Sequence, residues 1–130
     1  MTGRVESELR AKRDAGRTLL LPYITGGYPG WEDAVRACAA NGADGIEIGI
    51  PFSDPVMDGP VIQQASQVSL EAGTTPAGVL DRVPHLDVDI PLIAMTYYNL
   101  VHHPGPTKFA SDLARAGVSA AILPDLPLEE

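Results

Sequence analysis

GIEIGIPFSDPVMDGP, residues 45–60, opens as an apolar run interrupted by one acid and continues into a loop that carries two more acids and three prolines. The first six residues are short, apolar and bounded by Gly and Pro, which is the signature of a buried strand. Strand side chains alternate, so Glu47 points away from the face used by Ile46, Ile48 and Ile50. If the isoleucines meet a helix layer, Glu47 faces the opposite side of the sheet. Pro51, Pro55 and Pro60 each fix φ, so the loop that follows is expected to be pre-shaped around Asp54 and Asp58.

Working outward, three similar runs flank this one: Thr18 to Ile24, Ile90 to Tyr97 and Ser119 to Leu123. Their near-continuous hydrophobicity predicts strands covered on both faces. Helical spacing fills the gaps. Trp31, Ala34, Val35, Cys38 and Ala39 fall on one stripe, as do Val61, Ala65, Val68 and Ala72, the latter closing at Gly73. Thr75-Pro76 reads as an N-cap and first helical residue, and Phe109, Leu113 and Ala116 line a helix ended by Gly117. A charged opening helix, Val5 to Ala15, is expected to cover the mouth or floor of the sheet. Strand-helix alternation of this kind builds a parallel sheet through right-handed crossovers, the α/β class.

A chain of 130 residues that is 45% hydrophobic lies within the range of one ordinary domain, so residues 1–130 are expected to share a single core. The net charge of -8 disfavours nucleic acid and anionic membrane surfaces as partners and leaves small molecules or proteins. The lone Cys38 forms no internal disulfide, and no Cys/His cluster has the spacing of a metal site. The amino terminus, MTGRVESELRAKRDAG, lacks the apolar segment of a secretory signal, and a cytoplasmic location is expected.

Nine Lys and Arg are present, yet none of them, nor any His, lies between Ala37 and Asp81. An inward Glu47 without a cation beside it is expected to be desolvated and to have a raised pKa, which suits general acid-base work. A carboxylate paired with a cation from a distant segment, or hydrogen-bonded to backbone amides, is the competing reading. Asp58-Gly59 beside Pro60 is equally a turn sequence. Adjacent His102 and His103 are expected in a solvated loop, and Tyr98 on the helix side of its strand.

GIEIGIPFSDPVMDGPVIQ closely resembles the second strand and loop of the tryptophan synthase alpha family. PYITGGYPG is similar to that family's first strand and turn, AMTYYNLV to its third strand and exit, and ILPDLPLEE to its fourth. The resemblance covers nearly the whole chain. It implies a TIM (β/α)8 barrel of which only the first four βα units are present, a half-barrel. It also implies a lyase that cleaves indole-3-glycerol phosphate to indole and glyceraldehyde 3-phosphate, without a cofactor of its own. Pyridoxal phosphate belongs to the beta subunit, the partner expected in an alpha2beta2-type assembly.

By the same resemblance Glu47 is the acid-base carboxylate and Asp58 the carboxylate facing the indole N–H. Tyr23, Ile62, Met95, Tyr97 and Ile122 surround the indole, Asp54 and Asn99 meet the beta subunit, and Asp125 supports the catalytic loop. Pro124 and Tyr28 depart from the family pattern, at positions where a small residue and an acid are common. The family's later strands, its mobile loop and its phosphate site have no counterpart in these residues. Poor substrate affinity and self-association through open sheet edges are therefore expected. A stand-alone lyase releasing free indole, or a non-catalytic interaction module, are the alternatives.

Overall fold

The computed structural model describes residues 3–130; Met1 and Thr2, at the start of the charged amino-terminal stretch, lie outside the described residues. The elements run α1 (Arg4–Asp14), β1 (Tyr23–Thr25), α2 (Trp31–Ala40), β2 (Ile46–Gly49), α3 (Pro60–Glu71), α4 (Pro76–Arg82), β3 (Leu92–Met95), α5 (Tyr98–His102), α6 (Pro106–Ala116) and β4 (Ala120–Ile122). A 3-10 turn, Val83–His85, follows α4. The strands form one sheet in the order β1-β2-β3-β4, every neighbouring pair parallel. Sequence order equals spatial order, as in successive βα units that curl in one direction.

Local chemistry sets several boundaries. The Thr75 hydroxyl accepts the Gly78 N–H at 3.0 Å with Pro76 in the first turn of α4. Gly117, at φ 91°, ends α6 in the left-handed conformation that favours glycine. Phe109, Leu113 and Ala116 of that helix are all buried, as their spacing predicts.

Ile46, Ile48, Ile50, Leu92 and Ala94 pack into one cluster with Trp31, Val35, Val79, Val83, Phe109 and Leu113. This is the helix-facing side of the sheet, and burial of each large apolar side chain there contributes about 1.5–3 kcal/mol. The register places Tyr23, Glu47, Ile93 and Ala120 in one row across the other face, with Thr25, Gly49, Met95 and Ile122 in the next. Ile93 and Tyr97 are buried but lie outside the helix-facing cluster, consistent with that second face.

Three expectations change. First, β1 begins at Tyr23 and not Thr18, because its partner β2 begins only at Ile46 and Pro22, whose carbonyl accepts the Glu47 N–H, has no N–H to donate. Second, β3 ends at Met95 and Tyr97 caps α5, so Tyr98 meets the core from a helix and not from the strand. His102 closes that helix, with its ring 5.8 Å from that of Tyr98, although both histidines are exposed as expected. Third, α3 turns Ser66 and Ser69 inward while Val61 is 81% exposed. The helix rests against β1, where the Ser69 hydroxyl donates to the Gly26 carbonyl at 2.7 Å, and its apolar stripe is left toward open space.

α1 buries none of its residues and lies against the amino ends of the strands. Lys12 reaches Asp44 at 3.3 Å and Arg4 reaches Asp89 at 3.4 Å. Asp44, 1% exposed, also accepts from Arg17 Nε at 2.8 Å and from the Leu20 N–H at 2.9 Å. The Leu20 N–H, with Arg17 and Lys12 behind it, holds this carboxyl below its ordinary pKa against the opposing effect of burial. A depressed folded-state pKa means that the stabilisation is complete above the unfolded value, near 3.9, and fades as pH falls through the folded one. Wild type should therefore lose melting temperature steeply below about pH 4. Asp44→Asn, already weakened at neutral pH, should show a shallower acid limb; parallel curves between pH 7 and 3 would contradict this.

Candidate active site at the carboxyl end of the sheet

The loop after β2 is held by a hydroxyl from the next strand exit. Tyr97 Oη donates to Asp58 Oδ2 at 3.0 Å and accepts the Met57 N–H at 3.0 Å, so one phenol grips both side chain and backbone of the loop. Phe52 stacks on the same ring with centroids 5.2 Å apart. Gln63 Nε2, from the first turn of α3, donates to the Asp58 carbonyl at 2.8 Å, and the Asp58 N–H donates to the Pro55 carbonyl at 3.0 Å. Burial first, then the hydrogen bond to Asp58, keep Tyr97 above its ordinary pKa, while the Met57 N–H acts the other way. Tyr97 is thus a neutral donor at physiological pH.

Removing that hydroxyl removes a charge-assisted bond. Tyr97→Phe should cost about 1.5 kcal/mol in urea unfolding. Most of the loss should vanish in an Asp58→Ala background, as a double-mutant cycle reads it; an undiminished loss there would show that the pair is not coupled.

Glu47 lies one strand position before Gly49's neighbour Ile48 on the face away from the helices. It is half-buried and not enclosed as expected from the sequence, because this face of the four-stranded sheet is open. None of the ion pairs among the described residues involves it. Tyr23 stands beside it in the same row, and the Thr25 hydroxyl donates to Tyr23 Oη at 3.3 Å. A Cβ on Gly49 would run into the Tyr23 hydroxyl and ring, so the missing side chain is what lets the phenol lie across β2. Burial raises the Tyr23 pKa, the Thr25 hydrogen bond opposes it, and the charges of Asp58 and Glu47 add to the rise. This one hydroxyl therefore sits within the field of both acids.

Met95 and Ile122 occupy the row nearer the carboxyl ends, Ile122 being partly exposed on the last strand. Asp54 and Asn99 are exposed, on the loop and on α5. Asp125 lies beyond β4 and accepts the Tyr98 N–H at 2.9 Å, which fixes the backbone next to Tyr97. Ile62 lines an open cleft of about 560 Å³ with Tyr23, Tyr28, Trp31, Val61 and Val68. Glu47 and Asp58 do not line that cleft; it marks the uncovered flank of β1. No group of three or more His, Cys, Asp or Glu among the described residues is placed to hold a metal. No helix among the described residues is long and apolar enough to cross a membrane.

Sequence reasoning missed Asp44, whose partners lie 24 and 27 residues away and leave no local mark. It also missed Gln63 as a clamp on the Asp58 carbonyl and the use of Tyr97 as a hydrogen-bonding group. The signal for Gln63 was available, since a polar residue in the first turn of a helix can reach back to the loop before it.

Curled parallel βα units with acids on the open face, one on a strand and one in the following loop, define the first four units of a (β/α)8 barrel. The family model described as tryptophan synthase alpha chain matches residues 9–130. The tryptophan synthase alpha chain of Halorhodospira halophila is 50% identical over 98% of this chain and 49% of that protein. The alpha chain of Acaryochloris marina is 46% identical over 91% of this chain and 46% of its own length. The solved tryptophan synthase subunit alpha of Legionella pneumophila str. Paris superposes with a TM-score of 0.93 at 35% identity, over 100% of this chain and 52% of that one. The chain belongs to the tryptophan synthase alpha chain family. It spans about half the length of the curated relatives it matches.

Proposed function

We propose that residues 1–130 form one domain that supplies the acid-bearing half of an indole-3-glycerol-phosphate lyase in tryptophan biosynthesis. The observation that supports this reading is that Tyr97 Oη holds the Asp58 carboxylate in the loop directly after the strand that carries Glu47, whose row lies on the sheet face away from the helices. Glu47 protonates C3 of the indole ring, and Asp58, held by Tyr97, faces the ring N–H where positive charge develops. Glu47 then takes the proton of the side-chain hydroxyl; the bond from C3 to that carbon breaks, its electron pair restores the aromatic ring, and the carbonyl of glyceraldehyde 3-phosphate forms. Two carboxyl groups suffice for this proton traffic, so no cofactor is required.

Tyr23, Ile62, Met95, Tyr97 and Ile122 provide apolar and aromatic surface for the indole. Asp125 supports the strand exit that carries Tyr97. Asp54 and Asn99 face a pyridoxal-phosphate-dependent beta subunit in an alpha2beta2-type assembly within the cytoplasm. The free edges of the sheet also draw chains together.

The test is indole release from indole-3-glycerol phosphate by this chain alone, with the carboxy-terminal half of the Halorhodospira halophila alpha chain, and with both that half and a beta subunit. Indole is expected when the complementary half is present and more with the beta subunit. No indole in any mixture, beside an active full-length relative, would defeat the reading.

A further inference from the structure

Among the described residues no group accepts the proton of Tyr23 Oη, although the Thr25 hydroxyl donates to that oxygen at 3.3 Å. Asp58 already has a phenolic donor in Tyr97, at 3.0 Å. We propose that Tyr23 is a catalytic residue of the lyase and not only part of its apolar lining. Its O–H donates to the side-chain hydroxyl oxygen of the substrate, the oxygen from which Glu47 takes a proton. This inference rests on the roles proposed above for Glu47 and Asp58 and adds a third group to them.

The register sets Tyr23 level with Glu47, and Thr25 level with Gly49, on the face away from the helices. The phenol does not stay level. Its ring and hydroxyl lie where a side chain on Gly49 would begin, so it crosses from β1 onto β2, two positions nearer the carboxyl end than Glu47. Same-face positions on a strand are about 6.6 Å apart, and a glutamate side chain spans much of that interval. One substrate oxygen can therefore meet the Glu47 carboxylate and the Tyr23 hydroxyl together. The chemistry calls for a donor at that point. As Glu47 removes the hydroxyl proton, negative charge builds on the oxygen until the bond to C3 breaks and the carbonyl forms. A neutral donor already in place stabilises that charge without rearranging. Tyr23 keeps its own proton throughout, and burial, chiefly, raises its pKa, so the phenol is protonated at neutral pH. Contact with the indole alone needs no such group, since a phenyl ring offers the same apolar surface.

Tyr23→Phe in the reconstituted enzyme, this chain with the carboxy-terminal half of the Halorhodospira halophila alpha chain, tests this. The probes are indole-3-glycerol phosphate and an analogue in which hydrogen replaces the hydroxyl on the carbon next to the ring. The variant should lower kcat about 10- to 100-fold, the worth of one donor to a developing charge, and change KM less than about threefold. Inhibition by the analogue, which lacks the oxygen, should be unchanged. An unaltered kcat in the variant, beside an active wild type, would overturn the role of Tyr23 and leave Glu47 and Asp58 in place. Equal weakening of analogue and substrate, with a lowered melting temperature, would make Tyr23 a packing residue and overturn the proposal as well. No indole from wild type, beside an active full-length relative, would defeat the reading of the two acids and this inference with it.

Discussion

Glu47→Gln is expected to lower indole release by the reconstituted enzyme about 100- to 10,000-fold, the contribution of one positioned acid-base group. The amide keeps the shape of the side chain but neither gives nor takes a proton at C3. On the roles proposed above, the loss should fall on kcat with KM little changed, because the apolar surface of Tyr23 and Met95 stays in place. Glu47 lies on an open face without a cation beside it, so the substitution removes no ion pair and should leave the melting curve unaltered. Equal rates for wild type and variant would remove Glu47 from the chemistry; a large drop in melting temperature would return it to a structural role.

Gly27→Ala is expected to be the most damaging small change to the fold. Gly27 has φ 80°, where an L side chain costs about 1–2 kcal/mol, and the new methyl would meet the side chains of Thr74 and Ser69. Displacing Ser69 also breaks its buried hydrogen bond to the Gly26 carbonyl. Together these should cost about 3 kcal/mol and lower the melting temperature by about 10 °C. Gly16→Ala is the control: the same left-handed backbone at φ 86° with nothing near the added carbon, and so the strain alone. The effect should spread, because Ser69 and Gln63 share α3 and Gln63 holds the Asp58 carbonyl. Equal losses for the two variants would show that the crowding at Gly27 carries no weight.

The α/β class and the second strand with its loop were legible because their determinants are local. Ile46, Ile48 and Ile50 alternate with Glu47 and Gly49, and the caps at Thr75 and Gly117 lie next to the helices they bound. What failed was anything decided by a neighbour distant in sequence. The apolar stripe of α3 was read correctly as a stripe, but periodicity cannot say which wall it meets, and β1 receives the serine side. β1 is shorter than its apolar run because its partner β2 begins only at Ile46 and Pro22 has no N–H for a ladder. The grip of Tyr97 on Asp58 crosses 39 residues and is invisible to spacing. The positions assigned to indole came from likeness to a family; the geometry adds the hydrogen bonds and packing that hold them.

α1 is fastened chiefly by charge. With no side chain of its own in the interior, it depends on pairs such as Lys12 with Asp44 and Arg4 with Asp89, the latter exposed to solvent. Attractions of that kind fade as the Debye length shrinks to about 3 Å in 1 M salt. The helix should therefore behave as a detachable flap. Trypsin ought to clip after Arg10, Lys12 or Arg13 much faster in concentrated salt, before the remainder of the polypeptide is attacked, and a salt-independent digestion pattern would show that Val5 and Leu9 hold it by packing instead.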